Sequence, residues 1–117
     1  MGDFEKLIFN DVVVVVVNLS RGTMNEAKEL GNLLDEEITS GCKKVIVDLE
    51  KCEFIDSTFI GTLVLRFKKL NEKGGKLKLV LPNAQRDVLF VITNNLGFFD
   101  TYRSRKDAVD SFLFEEY

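Results

Sequence analysis

The sequence predicts an α/β fold in which a mixed β-sheet of four to five strands is flanked by about four helices. Strand-like segments alternate with helical segments along the chain, a pattern typical of this fold class. Residues 12–17 are six consecutive valines. A β-branched run without polar alternation is typical of a strand buried on both faces. The apolar segment Leu7–Phe9 precedes it across a predicted turn at Asn10-Asp11, and this opening hairpin makes the sheet mixed.

The first helix and the strand after it follow from capping residues and apolar spacing. Thr23 is followed three residues later by a glutamate, and this capping-box pattern predicts a helix start. Gly41 is the expected stop of that helix. The apolar run Val45–Leu49 is then a second strand, and a second helix follows it and ends near Gly74-Gly75.

Further elements are predicted after this second helix. Residues 76–81 alternate in polarity at their start, as expected of a strand, and Pro82 prevents further pairing. Asn83 is the expected N-cap of a third helix. Residues 98–102 indicate a short last strand or an extended segment. The run Ser104–Asp107 is a second capping box, which predicts a final helix.

Composition indicates one globular domain spanning residues 1–117. The chain is 45% hydrophobic with one proline, unlike a disordered segment. Its net charge of −3 argues against a nucleic-acid-binding domain, which usually carries a basic excess. No apolar run approaches the roughly 20 residues that span a bilayer, so we expect no direct membrane insertion. Two cysteines are too few for a disulfide framework, which favours a cytoplasmic setting.

The stretch between the second strand and the second helix carries the candidate functional site. Asp56 and Ser57 are both common N-cap residues, so the helix should begin at one of them. Ser57 and Thr58 thereby place two hydroxyl groups at the positive end of a helix, which favours a phosphate. Capping alone also explains Asp56 and Ser57, and Thr58 is best interpreted as a structural residue of the first turn.

An enzyme is not expected from this set of residues. The chain contains no histidine, so a serine nucleophile would lack the base of a typical triad. Two cysteines without histidine do not provide four zinc ligands, and Gly74-Gly75 lacks the Lys-Ser/Thr pair of a phosphate-binding loop. We therefore expect neither a metal nor a cofactor.

Residues 54–61, Phe-Ile-Asp-Ser-Thr-Phe-Ile-Gly, resemble a sequence pattern of STAS domains, the fold of bacterial anti-sigma factor antagonists. The family pattern is an apolar pair, Asp, Ser, a small residue, Gly, Leu and Gly. The order of elements extends the resemblance over nearly the whole chain. The resemblance implies that Ser57 is the phosphoacceptor of a serine kinase that acts as anti-sigma factor. Unphosphorylated protein would capture this kinase and free the sigma factor, thereby regulating transcription.

Two departures from the family pattern concern the expected partner-binding face. Phe59 replaces the first glycine after the hydroxyl pair. Before the first helix, the family usually has Gly, an acidic residue, an apolar residue and an Asp that faces the partner, whereas this chain has Ser20-Arg21-Gly22-Thr23. A partner-contacting role and a core role for Phe59 are equally consistent with the sequence. The predicted partner-binding residues are Arg21, Thr23, Asp56, Ser57, Thr58 and Phe59.

A second function remains open at this point. STAS-like domains also serve as accessory subunits of lipid transporters or as scaffold members of signalling assemblies. In such a role the helix that starts at Ser57 would bind its partner constitutively, without a phosphorylation cycle. The sequence does not predict the oligomeric state.

Overall fold

The structure is a computed structural model that describes residues 2–81 and 99–114. Seven strands and three helices lie within these residues. They are β1 (Phe4–Phe9), β2 (Val12–Val17), β3 (Arg21–Gly22), α1 (Met24–Thr39), β4 (Lys44–Asp48), β5 (Phe54–Ile55), α2 (Ser57–Glu72), β6 (Lys76–Val80), β7 (Asp100–Tyr102) and α3 (Arg105–Leu113).

The main sheet has five strands in the order β1-β2-β4-β6-β7. β1 and β2 pair antiparallel, and the remaining neighbours pair parallel. The predicted mixed sheet is therefore confirmed. β3 and β5 form a separate two-stranded parallel ladder beside it. The third helix predicted after Asn83 lies outside the described residues.

Both faces of the sheet are covered, which explains the unbroken run of valines in β2. Val13, Val15 and Val17 pack with α1 and α2 in one apolar cluster. The alternate valines of β2 pack with α3 in a second cluster. All six valines are buried, as predicted for a strand with a helix layer on each side.

The ends of the first two helices agree with the sequence pattern. Thr23 and Glu26 form the capping box of α1. Gly41 and Gly74 follow the C-caps of α1 and α2 with φ angles of 97° and 82°. Such left-handed backbone favours glycine. Ser104 caps α3 by accepting a hydrogen bond from the backbone N–H of Asp107.

One lysine of β6 is buried. Leu77 and Leu79 belong to the cluster under α1 and α2, so alternation turns Lys78 towards α3. Lys78 is only 3% exposed. Its Nζ donates to Ser111 Oγ at 2.9 Å and lies 4.0 Å from the ring centroid of Phe112. On a strand with one face in solvent, the Lys78 ammonium would be hydrated. Here it contacts α3 instead.

Burial also shields Cys52 from solvent in the folded chain. Its side chain is 1% exposed, and burial raises the pKa of the Cys52 thiol to about 12, with the charge of Asp48 adding to the effect. Folding therefore favours the protonated thiol, so its stability contribution is present below pH 9 and is lost as the pH rises towards 12. We expect iodoacetamide at pH 8 to leave Cys52 unmodified in native protein.

Mass spectrometry of native and urea-unfolded samples measures this directly. The free energy of unfolding should also fall less steeply above pH 9 in Cys52→Ala than in the wild type. Rapid native alkylation of Cys52 would contradict the prediction.

Candidate functional site

The N-terminus of α2 carries the candidate phosphorylation site. Of the two predicted N-caps, Asp56 is the cap: its Oδ1 accepts a hydrogen bond from Phe59 N at 2.9 Å. Ser57 is the first residue of the helix, and its side chain is exposed. Among the residues that the structure describes, none hydrogen-bonds the Ser57 hydroxyl. Because Asp56 takes the capping role, Ser57 presents a hydroxyl that helix formation does not use.

Asp56 has a second structural role. Its Oδ2 accepts a hydrogen bond from Met24 N at 2.9 Å, and Met24 is the first residue of α1. One carboxylate therefore stabilises the N-termini of two helices. A charged acceptor is well suited to both ends because each helix N-terminus carries partial positive charge. The sequence predicted a cap and a partner-binding role for Asp56, but not this bond to the start of α1.

The β3–β5 ladder fixes the loop before α1 against the start of α2. Arg21 pairs with Phe54 and Gly22 pairs with Ile55. Asp56 N donates to the carbonyl of Gly22 at 2.9 Å. The structure thus places the two predicted segments of the partner-binding face side by side, as expected for loops at neighbouring strand ends.

Thr23 and Thr58 occupy different positions on this face. Thr23 is half-buried, and its hydroxyl donates to Glu26 Oε1 at 2.9 Å within the capping box of α1. Thr58 is exposed on the first turn of α2. The main role of Thr23 is therefore to start α1, whereas Thr58 lies beside Ser57 on the surface.

The prediction that Phe59 contacts a partner is wrong. Phe59 is 0% exposed and is the largest fully buried side chain among the described residues. A Cβ atom added at Gly22 would lie 3.0 Å from the Phe59 ring, so the ring packs directly against the backbone of β3. Phe59 is a core residue, and it leaves the surface around Ser57 unobstructed.

A groove of about 500 Å³ begins at Ser57 and follows one side of α2. Its lining residues are mostly apolar: Ile55, Ser57, Ile60, Gly61, Val64, Leu65 and Lys68. Leu65 is 49% exposed. Sequence analysis did not identify this groove. Leu65 could have indicated the groove, because this apolar residue does not fall at the helical spacing of the core positions of α2.

A second groove of about 510 Å³ is lined by Arg21, Thr23, Met24, Asn25, Glu26, Phe54 and Asp56. The guanidinium carbon of Arg21 lies 4.5 Å from the centroid of the Phe54 ring. Phe54 is 41% exposed and Met24 is 67% exposed. This groove thus combines exposed apolar area and one stacked cation with the carboxylates of Glu26 and Asp56, and aromatic, Met and Arg side chains are common in protein interfaces.

Comparison with known families identifies the chain. Residues 11–108 match the model of the STAS domain family. The chain belongs to the STAS domain family. This agrees with the sequence resemblance at residues 54–61 and with the mixed sheet. In the described parts of this STAS domain, no three histidine, cysteine or acidic side chains cluster as a metal site does. None of its described helices is long and apolar enough to cross a bilayer.

The proteins similar to this STAS domain include an anti-sigma factor antagonist and candidates for that role. A candidate antagonist of Thermotoga neapolitana is 31% identical over 107 residues, which cover 92% of this chain and 95% of that protein. The crystal structure of a candidate antagonist of Thermotoga maritima is 25% identical, with a TM-score of 0.77 over 92% of each chain. Unphosphorylated SpoIIAA has 18% identity and a TM-score of 0.75, over 95% of this chain and 98% of that chain.

The structure joins the two departures from the STAS pattern into one exchange. The family pattern has an apolar residue in the loop before α1 and a glycine in the first turn of α2. This STAS domain has Gly22 in the loop and Phe59 in the helix. Because the Phe59 ring lies against Gly22, a large side chain at one position accompanies glycine at the other. Ser20, Arg21 and Thr23 remain as the other differences in this loop.

Proposed function

We propose that this STAS domain is an anti-sigma factor antagonist that binds a serine kinase acting as anti-sigma factor and is switched by phosphorylation of Ser57. The observation that carries the proposal is the exposed Ser57 hydroxyl on the first residue of α2, next to a cap supplied by Asp56. In this proposal the protein acts in the cytoplasm as a binding partner and not as an enzyme.

The geometry supports a local switch. A phosphate on Ser57 would add roughly −1.5 to −2 units of charge. The N-terminus of α2 offsets part of that charge, typically by about 0.3–1 kcal/mol at an exposed site. Since Ser57 is exposed, the modification need not displace a packed side chain. The fold should persist while the surface at Ser57 becomes more acidic.

Burial of Phe59 bears on the alternative of a constitutive interaction module. A bulky exposed ring beside Ser57 would have hindered a kinase and favoured that alternative. The ring is buried instead, so the surface at Ser57 is open to an approaching active site. The relatives named above are also described as antagonists or candidate antagonists, which supports the switch.

Phosphorylation with purified components tests the proposal. Each serine kinase of the anti-sigma factor type encoded in the same genome is incubated with ATP and this protein, and intact mass is recorded. We expect one kinase to add a single phosphate. Ser57→Ala should abolish the addition, and Thr58→Ala, the matched control, should retain it. Transfer to Thr58, or no transfer by any of these kinases, would overturn the proposed switch.

Binding measurements then separate the switch from a constitutive module. The unphosphorylated protein should bind the kinase in the presence of ADP, and the phosphorylated protein should bind at least about tenfold more weakly, as expected when a charge is placed in an interface. Equal affinities of the two forms would favour the constitutive module.

A further inference from the structure

We propose that the outer edge of β1 is an interface between two copies of this chain, in which β1 pairs antiparallel with β1 of the second copy and Leu7 lies on the twofold axis. Three observations support it: an unpaired strand edge, exposed apolar side chains at one end of that edge, and a side-chain pattern that is complementary to itself. The inference does not rest on the proposed function, because it concerns a different surface of the molecule.

The backbone of β1 has hydrogen-bonding groups that the sheet does not use. β1 is the first strand of the main sheet, and among the described residues only β2 pairs with it. Asn18 N donates to the carbonyl of Asp3, and this bond continues the β1–β2 register, so the odd-numbered residues of β1 bond to β2. The N–H and C=O groups of the even-numbered residues therefore point out of the sheet: Phe4, Lys6 and Ile8.

This edge lacks most of the features that normally prevent strand addition. Exposed edges are usually protected by short strands, prolines, bulges or charged side chains. β1 has six residues and no proline, and its register with β2 is uninterrupted. Its one cation, Lys6, is held over α1, where its Nζ lies 3.0 Å from Glu37 Oε2. The other edge strand of the sheet, β7, has only three residues.

Exposed apolar side chains lie at the end of β1 that joins β2. Ile8 is 62% exposed and Phe9 is 39% exposed. The two lie on opposite faces of the sheet. Ile8 is opposite Val13, on the face covered by α1 and α2, whereas Phe9 lines a groove of about 330 Å³ beside α3. A strand added at this edge would place side chains against both, because successive side chains of a strand point to opposite faces.

A second copy can supply this strand in an antiparallel, twofold arrangement, and the side chains favour one register. In a register centred on Lys6, two lysines would lie directly opposite each other, which is destabilising. A register centred on Ile8 would extend the ladder to Asn10, whose φ of 57° belongs to the turn and not to a strand. The register centred on Leu7 avoids both problems.

The Leu7 register covers the exposed apolar residues without opposing like charges. Leu7, half-buried on the face covered by α3, meets Leu7 of the second copy. Ile8 lies opposite Lys6 of the second copy, whose methylene groups cover it while the ammonium stays in solvent beside Glu37. Phe9 lies opposite Glu5 of the second copy. Such an isologous contact closes at two copies.

The interface is small, and it leaves the candidate phosphorylation site accessible. It involves at most the six residues of β1 in each copy, so we expect a weak, reversible dimer. Phe9 pairs with Val12 at the start of β2, whereas the loop that leads to Arg21 follows the other end of β2. The contact therefore lies away from the surface around Ser57, and Ser57→Glu should leave association unchanged.

Sedimentation equilibrium between about 10 µM and about 1 mM, the range of weak association, tests the inference. The mean mass should rise from 13.3 kDa towards twice that value. Ile8→Pro removes an N–H that points out of the sheet and keeps every bond to β2, a position at which an edge strand tolerates proline. It should weaken association at least about tenfold with an unchanged circular dichroism spectrum. Ile8→Val, the matched control, should associate within about threefold of the wild type.

Two further comparisons test the register. Ile8→Lys places a lysine opposite Lys6 of the second copy, whereas Ile8→Glu places a carboxylate there, so the second variant should associate about tenfold more tightly than the first. Under mild oxidation Leu7→Cys should form a disulfide between copies, since residues on the axis face each other. Glu5→Cys, which faces Phe9, should not.

Several results would overturn the inference. One is a wild type that stays monomeric at about 1 mM, which would leave the edge of β1 to a segment of another protein. Another is association of Ile8→Pro as tight as that of the wild type. Equal association of Ile8→Lys and Ile8→Glu, or cross-linking of Glu5→Cys in place of Leu7→Cys, would exclude the register centred on Leu7 and with it the proposed interface.

Discussion

Replacing Phe59 with alanine is expected to lower the free energy of unfolding by about 3–5 kcal/mol, the usual cost of emptying a buried phenylalanine site. The side chain is 0% exposed and packs between β3 and the apolar cluster under α1 and α2. Urea denaturation followed by circular dichroism measures the change. Leu65→Ala, on the exposed side of the same helix, is the matched control and should cost less than about 1 kcal/mol.

The exchange between Gly22 and Phe59 predicts that their substitutions are coupled. Gly22 has no positive φ angle, so a side chain there is limited by the Phe59 ring and not by the backbone. Gly22→Val should destabilise the wild type, yet in Phe59→Ala the valine enters the space that the ring has left. We expect the double variant to regain about 1–2 kcal/mol of the loss, within the range of coupling between residues in contact. Strictly additive effects would contradict the exchange.

Replacing Asp56 with alanine is the second change with a large expected effect. It removes the acceptor for Phe59 N and the acceptor for Met24 N. Loss of a cap typically costs about 0.5–2 kcal/mol, and loss of a hydrogen bond to a charged group costs about 1.5–3 kcal/mol. We therefore expect a total of about 2–5 kcal/mol, measured by the same denaturation.

Two further variants separate the roles of Asp56. Asp56→Ser should keep the cap of α2, because serine is a good N-cap, but its single hydroxyl oxygen should not serve Met24 as well. Ser104→Ala removes a single capping bond, that of α3, and is the control for an ordinary cap. If Asp56→Ala cost no more than Ser104→Ala, the bond to Met24 would contribute nothing to stability.

Local sequence patterns predicted most of the fold because they report on burial and capping. The run of valines predicted a strand buried on both faces, and the structure has helices on each face of the sheet. Thr23 and the glycines after α1 and α2 fixed the ends of those helices. What local patterns could not predict was contact across the chain. Lys78 lies in an alternating strand, and its burial depends on contacts with distant residues of α3 and β7.

In the candidate site too, local patterns predicted the cap but not the contacts between distant segments. A common N-cap residue before Ser57 was evident from sequence, but the bond from Asp56 to Met24 joins residues 32 positions apart. Phe59 was equally consistent with a core and a surface role, since helical spacing alone does not show what lies opposite. Its contact with Gly22 decides the question, and that contact depends on the pairing of β3 with β5.

The short β3–β5 ladder has a consequence for the order in which the molecule assembles. It pairs only two residues on each strand, and its segments are distant in the chain, so the entropy of closing a long loop must be overcome before the ladder contributes stability. Hairpin β1–β2 and helices α1 and α2 contain local contacts that can form earlier. The surface that presents Ser57 and Arg21 is therefore expected to form late in folding and to open first in native-state fluctuations. A kinase that docks on this surface would act on chains whose folding is complete.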